Sequence, residues 1–132
     1  MSNVEASQTV VIVGGGQAAG ETALELRKQG FEGRVVILSE ESQPPYKRPP
    51  LSKAYLAGSV QQEQLFVMQP AILEKHRIDF NGGTKVTAID RIKQEVILAD
   101  DHRVTYDRLV LATGGRARPL PVPGADAANV FL

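Results

Sequence analysis

The chain has 132 residues, and its fifteen Lys and Arg side chains balance its fifteen Asp and Glu side chains, so the formal net charge is zero. This length accommodates one ordinary domain but not two. A hydrophobic share of 42% and a charged share of 23% are typical of globular proteins and exclude the disordered and fibrous classes. Because there is no excess of positive charge, the composition predicts no nucleic-acid partner.

The chain contains no cysteine. A disulfide framework, a thiolate zinc site and an iron–sulfur cluster held by this chain are therefore excluded, and any redox chemistry must come from a bound cofactor. The two histidines, His76 and His102, lack the spacing of a zinc site, so no metal is predicted. The first eight residues carry no positively charged region of a signal peptide, and no apolar run approaches the roughly 20 residues that cross a bilayer. We therefore predict a cytoplasmic protein without a membrane partner.

The first segment predicts a strand, a turn and a helix, in that order. The run from Thr9 to Val13 is β-branched and apolar, as expected for a strand that is buried on both faces of a parallel sheet. Residues 17–29 change to helical periodicity, and Gly30 stands where a helix commonly ends. A second apolar run, from Arg34 to Leu38, completes a βαβ unit.

The middle of the chain predicts short elements between prolines and glycines. Residues 51–57 predict a short helix that is closed by Gly58. Residues 70–75 predict another short helix, because Pro70 suits its first turn, and residues 77–80 predict a strand after it.

The last third alternates apolar and polar residues between turn signals, which predicts an antiparallel meander at residues 85–90, 95–99 and 103–106. The wholly apolar run at residues 109–112 predicts a strand that returns to the parallel sheet beside the first strand. The predicted fold class is therefore α/β: a Rossmann-like domain with a parallel sheet plus a small antiparallel β-meander.

The turn after the first strand carries a glycine fingerprint of the form G-x-G-x-x-A. It consists of Gly14, Gly15, Gly16, Gln17, Ala18 and Ala19. Gly14 permits the tight turn, Gly16 lets the backbone approach a pyrophosphate, and Ala19 takes the place of the third glycine where helix and sheet pack. The unpaired N–H groups at the start of the helix supply an anion site. These residues predict dinucleotide binding.

Glu40 follows the second strand, where a carboxylate can accept hydrogen bonds from both ribose hydroxyls of an adenosine. Its neighbour Glu41 is included in the same predicted site. The alternative is that the two acids form a solvated pair at the strand end. The Glu40 carboxylate would repel a 2′-phosphate, but these residues leave FAD and NAD both open.

Three motifs in order resemble one known family. They are Val-Ile-Val-Gly-Gly-Gly at residues 11–16, Arg-Pro-Pro-Leu-Ser-Lys at 48–53, and Leu-Val-Leu-Ala-Thr-Gly-Gly-Arg-Ala-Arg-Pro-Leu at 109–120. Together they resemble the FAD-dependent ferredoxin reductases that serve cytochrome P450 and Rieske oxygenase systems, a branch of the pyridine nucleotide-disulfide oxidoreductases. The resemblance implies FAD as the cofactor, NADH as the electron donor and a 2Fe–2S ferredoxin as the acceptor, and these residues leave NADPH open as the alternative donor.

The resemblance also implies where the cofactor lies. In that family the glycine loop, including the position of Ala18, touches the FAD pyrophosphate, the acid at Glu40 holds the adenosine ribose, and the backbone at Val86 contacts adenine. The lysine at Lys53 lies against the flavin ring, where a fixed cation stabilises the anion left when the ring accepts hydride. The alternative for Lys53 is a surface lysine.

Two further groups belong to the site that the resemblance implies. Arg48, with Pro49 after it, either reaches the flavin or the phosphates or pairs with Glu40 or Glu41. The end of the returning strand permits close approach of the flavin, and Arg116 adds one charge near the pyrophosphate. The residues of this group are Ala112, Thr113, Gly114, Gly115 and Arg116.

The family carries NAD-binding and interface domains after this segment, and residues 41–132 hold no second glycine fingerprint. We therefore expect residues 1–132 to be the amino-terminal, incomplete part of the FAD-binding domain of an NADH:ferredoxin oxidoreductase, not competent for turnover alone. Relatives that reduce disulfides use a cysteine pair, and its absence here favours a one-electron acceptor. Two alternatives stay open: a non-catalytic module that binds NAD or FAD, and a segment that is inactive on its own.

Overall fold

The computed structural model describes residues 7–131; residues 1–6, on which most of the signal-peptide expectation rests, lie outside them. The described residues form a four-stranded parallel sheet and a three-stranded antiparallel sheet. This arrangement confirms the predicted α/β class. Between residues 7 and 131, no helix combines the length and the apolar character that crossing a membrane requires.

The parallel sheet consists of β1 (Thr9–Val13), β2 (Arg34–Leu38), β3 (Ile78–Asn81) and β7 (Arg108–Leu111), in the order β3-β2-β1-β7. Strands β1 and β2 pair in the centre, with Thr9 beside Arg34 and Val13 beside Leu38. Strand β7 pairs with the other edge of β1, which confirms that the last apolar run returns to the first strand. The continuous apolar character of β1 and β2 follows from this central position, because both of their faces are covered.

Helix α1 (Gln17–Lys28) connects β1 to β2 and buries Ala19, Gly20 and Ala23 against the sheet. Its end is closed by Gly30, whose φ is 83°. The N–H of Phe31 donates to the carbonyl oxygen of Leu26 at 2.9 Å, which is the reach of a Schellman motif. The predicted helix end at Gly30 is confirmed.

The predicted helix at residues 51–57 is wrong. A 3₁₀ helix spans Pro49–Ser52 instead, and turns follow it as far as Gly58. The N–H of Leu51 donates to the carbonyl oxygen of Arg48 at 3.0 Å. Lys53, at the end of this 3₁₀ helix, has φ −129° and ψ −107°, which lie outside the helical region, so the chain does not continue as an α-helix.

After a second 3₁₀ helix at Gln62–Leu65, helix α2 (Pro70–Lys75) has the predicted bounds. Strand β3 begins at Ile78, one residue later than predicted, because Arg77 has a φ of 52° and cannot be part of the strand.

The antiparallel sheet consists of β4 (Val86–Asp90), β5 (Glu95–Leu98) and β6 (Arg103–Thr105), so the predicted meander is confirmed with bounds that differ by one residue. It covers one face of the parallel sheet, where Val96 packs with Val11 and Val36. The other face packs against both helices, through residues such as Ala23 and Leu73. The parallel sheet is therefore the middle layer of three.

Candidate functional site

The glycine turn lies at the carboxyl end of β1, in the middle of the parallel sheet. The N–H of Gly14 donates to the carbonyl oxygen of Leu38 at 2.9 Å, which ties the turn to the end of β2. Gly14 has a φ of 113°, and a Cβ there would lie 2.1 Å from the carbonyl oxygen of Ala112. Only glycine fits this position, because both the backbone conformation and the neighbouring backbone exclude a side chain.

The next two glycines differ from each other. A Cβ on Gly15 would lie 2.1 Å from the hydroxyl oxygen of the buried Ser39. A Cβ on Gly16 would meet nothing within 4 Å, and Gly16 is also the N-cap of α1. The backbone at Gly16 is therefore open to a ligand at the helix start, as phosphate binding requires.

A cavity of about 800 Å³ lies over this turn at the carboxyl edge of the parallel sheet. Its volume is within the range of roughly 300–1,000 Å³ that is typical of ligand pockets. The structure brings most of the predicted site together here, since the cavity is lined by Gly14, Gly15, Gly16, Gln17, Ala18, Glu40, Glu41, Arg48, Val86, Ala112, Thr113, Gly114, Gly115 and Arg116.

Three predicted site residues do not line the cavity. Ala19 is fully buried between α1 and the sheet, as its predicted packing position requires. Pro49 begins the first 3₁₀ helix, and Lys53 lies at its end with an exposed side chain. The flavin contact of Lys53 stays a prediction.

Six residues of the lining were not predicted from the sequence: Val13, Leu38, Ser39, Thr84, Lys85 and Leu111. Three of them end parallel strands and Ser39 follows one, so the rule that ligands bind at the carboxyl ends of strands could have found them. Thr84 and Lys85 had no such signal. The N–H of Thr84 donates to the carbonyl oxygen of Ser39 at 2.7 Å, and this long-range contact brings them to the cavity.

Glu40 is paired with two cations from distant segments. Its Oε1 lies 3.2 Å from Nζ of Lys85, and its Oε2 lies 3.6 Å from Nη2 of Arg116. All three side chains are more than half exposed, so these ion pairs are weak and can be exchanged for contacts with a ligand.

Glu41 is bound on the other side by two residues of the proline-rich segment at residues 44–50, which we call the proline loop. The Tyr46 hydroxyl donates to its Oε2 at 2.6 Å, and Nη2 of Arg48 donates to its Oε1 at 2.5 Å. Of the partners considered for Arg48, the structure thus shows Glu41. The hydrogen bonds from Tyr46 and Arg48 lower the pKa of Glu41, while burial and the same carboxylate raise the pKa of Tyr46.

Residues 8–132 match the family model of the pyridine nucleotide-disulphide oxidoreductases. The chain belongs to this family. It is 50% identical over 119 residues to putidaredoxin reductase of Pseudomonas putida and 45% identical over 122 residues to rhodocoxin reductase of Rhodococcus erythropolis. It is 37% identical over 122 residues to the ferredoxin–NAD(+) reductase component of the biphenyl dioxygenase system of Paraburkholderia xenovorans. These matches cover 90–92% of this chain but 28–30% of the relatives, so the chain spans less than a third of their length.

Solved structures agree with this membership. Putidaredoxin reductase, in its covalent complex with putidaredoxin, superposes with a TM-score of 0.86 at 50% identity over 89% of this chain and 28% of that chain. A ferredoxin reductase from Rhodopseudomonas palustris superposes with a TM-score of 0.87 at 35% identity over 95% of this chain and 31% of that chain. The resemblance to oxygenase-coupled ferredoxin reductases is confirmed.

Proposed function

We propose that this chain binds FAD as part of an NADH-dependent ferredoxin reductase. The observation that carries the proposal is one cavity in which the open backbone at Gly16, the carboxylate of Glu40 and the guanidinium of Arg48 meet. These groups match the phosphates and the ribose of a dinucleotide. The names of the relatives from Paraburkholderia xenovorans and Rhodopseudomonas palustris support ferredoxin as the acceptor. The first of these names, a ferredoxin–NAD(+) reductase component, also supports a pyridine nucleotide as the donor.

The residues of the cavity fit FAD group by group. The backbone at Gly16 and the start of α1 would hold the pyrophosphate, and Glu40 would exchange its ion pairs for the hydroxyls of the adenosine ribose. Val86 would contact adenine through its backbone, and Ala112 to Gly115 would border the flavin. When bound, FAD accepts a hydride and can release the electrons singly, which suits a 2Fe–2S acceptor.

We further propose that the nicotinamide site and the interface with ferredoxin belong to parts of the protein other than this chain. The relatives are more than three times as long as the segment that matches, and the chain contains one glycine fingerprint. The acceptor would be a 2Fe–2S ferredoxin of a P450 or Rieske oxygenase system.

The test uses the purified full-length protein that contains this chain. After loading with FAD, we expect flavin absorbance at about 450 nm that survives gel filtration, and NADH-dependent reduction of a 2Fe–2S ferredoxin. Absence of bound flavin would overturn the proposal. Bound flavin without electron transfer from NADH would favour a binding module that does not turn over.

A further inference from the structure

The loop between β2 and the first 3₁₀ helix carries a cluster of three side chains, Glu41, Tyr46 and Arg48, which we call the anchoring cluster. Glu41 accepts hydrogen bonds from both partners, one on each carboxylate oxygen. Nη1 of Arg48 also donates to the Tyr46 hydroxyl at 3.2 Å, so every member contacts the other two. Glu41 and Arg48 line the cavity, whereas Tyr46 does not.

Tyr46 is the fixed member of the cluster, because its backbone is tied to a neighbouring segment. Tyr46 forms an antiparallel bridge with Phe66. On either side of it, the N–H of Lys47 donates to the carbonyl oxygen of Leu65 at 2.8 Å, and the N–H of Val67 donates to the carbonyl oxygen of Pro45 at 2.7 Å. The proline loop therefore gives the Tyr46 ring a rigid base.

The guanidinium of Arg48 makes hydrogen bonds along its edge and a cation–π contact through its face. The central guanidinium carbon lies 5.1 Å from the centroid of the Tyr46 ring, within the reach of a cation–π contact. The hydrogen bonds to Glu41 and Tyr46 use one N–H of Nη2 and one of Nη1. A guanidinium has five N–H donors, so Arg48 keeps donors for a ligand in the cavity.

The two adjacent acids contact different groups. Glu40 pairs with Lys85, which precedes β4, and with Arg116, which follows β7. Glu41 pairs within its own loop. The Glu41–Arg48 pair is about as exposed as the Glu40 pairs, but it differs from them because Tyr46 contacts both of its members.

We infer that Tyr46 and Glu41 are positioning residues that hold the Arg48 guanidinium at the cavity wall, where it binds a phosphate oxygen of the dinucleotide. The inference rests on the proposed function. A free arginine loses rotamer freedom when it binds a ligand, and an arginine that is already held in place loses less. The affinity that Arg48 supplies therefore depends on two side chains, one of which lies outside the cavity lining.

The experiment measures the FAD dissociation constant of the full-length apoprotein by flavin fluorescence. We expect Arg48→Met to weaken FAD binding about tenfold and Tyr46→Phe to weaken it about threefold, since both remove hydrogen bonds that involve a charged group. In the Arg48→Met background, Tyr46→Phe should have no further effect, because Tyr46 acts through the arginine. A purely structural tyrosine would weaken binding in both backgrounds.

Matched controls come from the same part of the chain. Tyr55→Phe makes the same change on an exposed tyrosine of the following turns, and it should leave FAD binding unchanged. Glu41→Gln should weaken binding about as much as Tyr46→Phe. Tighter binding by Glu41→Gln would mean that the carboxylate opposes the phosphate instead of positioning its partner, and it would overturn the inference. If Tyr46→Phe bound FAD with wild-type affinity, the inference would be overturned but the proposed function would stand. If the wild-type protein bound no FAD, the inference and the proposed function would both be overturned.

Discussion

At the scale of single residues, two glycines of the turn after β1 have different roles. Gly14 is required by the fold, because its φ is 113° and the backbone of Ala112 fills the space where a Cβ would stand. Gly16 lies in open space without a positive φ, so the fold does not require it. A requirement for glycine at position 16 would therefore come from the ligand.

These glycines allow folding and binding to be separated. We expect Gly16→Ala to change the free energy of unfolding by less than about 1 kcal/mol but to weaken FAD binding at least about tenfold. Gly14→Ala should lower the free energy of unfolding by more than about 2 kcal/mol, since strain and a clash act together. Urea denaturation and flavin titration measure the two effects.

The control for strain alone is Gly58→Ala. Gly58 has a φ of 71°, and a Cβ at this position would meet nothing within 4 Å, so we expect a cost of about 1 kcal/mol. Equal costs at positions 14 and 58 would contradict the clash with Ala112.

The pKa of Glu41 provides a second prediction. Hydrogen bonds from Tyr46 and then Arg48 lower this pKa in the folded protein. The stability that they contribute is therefore present above the pKa of the unfolded chain, about 4.3, and is lost as the pH falls through the lower pKa of the folded state.

Tyr46→Phe should raise the pKa of Glu41 toward its ordinary value, because Tyr46 is the larger cause of the shift. Carbon-13 NMR of the Glu41 side-chain carboxyl during an acid titration measures it. A Glu41 titration that is the same in the variant and the wild type would show that Arg48 alone accounts for the shift.

At the scale of elements, one arginine joins the end of α1 to the connection between α2 and β3. The Arg27 guanidinium donates at 2.6–2.8 Å to the carbonyl oxygens of Phe31, Gly33, His76 and Arg77. His76 is the C-cap of α2, so its carbonyl oxygen has no partner within the helix, and a cation nearby also suits the negative end of the helix dipole. Arg27 thus fixes α1 relative to α2.

We expect Arg27→Met to lower the free energy of unfolding by about 2–3 kcal/mol, because several carbonyl groups lose a charged donor at once. Lys28→Met is the control, since Lys28 makes an exposed ion pair with Glu25 at 3.7 Å, which is worth about 0.5 kcal/mol or less. Both values come from urea denaturation. If the two variants lowered the free energy of unfolding by similar amounts, Arg27 would not be what joins α1 to the connection between α2 and β3.

The helices and strands were largely predictable because their signals are local. The β-branched run of β1 and the Gly30 stop of α1 act over a few residues, and both were predicted correctly. The 3₁₀ helix at Pro49–Ser52 was not, because the sequence carries no signal for the non-helical backbone of Lys53 that ends it. The start of β3 was misplaced by the left-handed conformation of Arg77.

At the scale of the whole molecule, the meander and the parallel sheet share a core. Val96 is fully buried between them and packs with residues of β1 and β2. Ile92, in the turn just before β5, is 96% exposed. The chain therefore offers a buried and an exposed apolar residue within one hairpin.

We expect Val96→Ala to lower the free energy of unfolding by about 2 kcal/mol, since it removes buried methyl groups and leaves a cavity. Ile92→Ala should change it by less than about 0.5 kcal/mol. Circular dichroism and tyrosine fluorescence, to which Tyr106 of the same core contributes, should report one transition. Two separate transitions would show that the meander unfolds independently of the parallel sheet.

The sequence alone determined the glycine turn, the order of strands and helices, the meander and the family, because strand periodicity, glycine conformations and short motifs are properties of neighbouring residues. Tertiary structure decided how the site is assembled. Lys85 lies next to Glu40 because backbone hydrogen bonds, such as the one from Thr84 to Ser39, bring two distant turns together. Tertiary structure also pairs Arg48 with Glu41 instead of Glu40, since the bridge between Tyr46 and Phe66 sets the position of the loop. Such contacts depend on how separate segments pack, and that information is not present within any one of them.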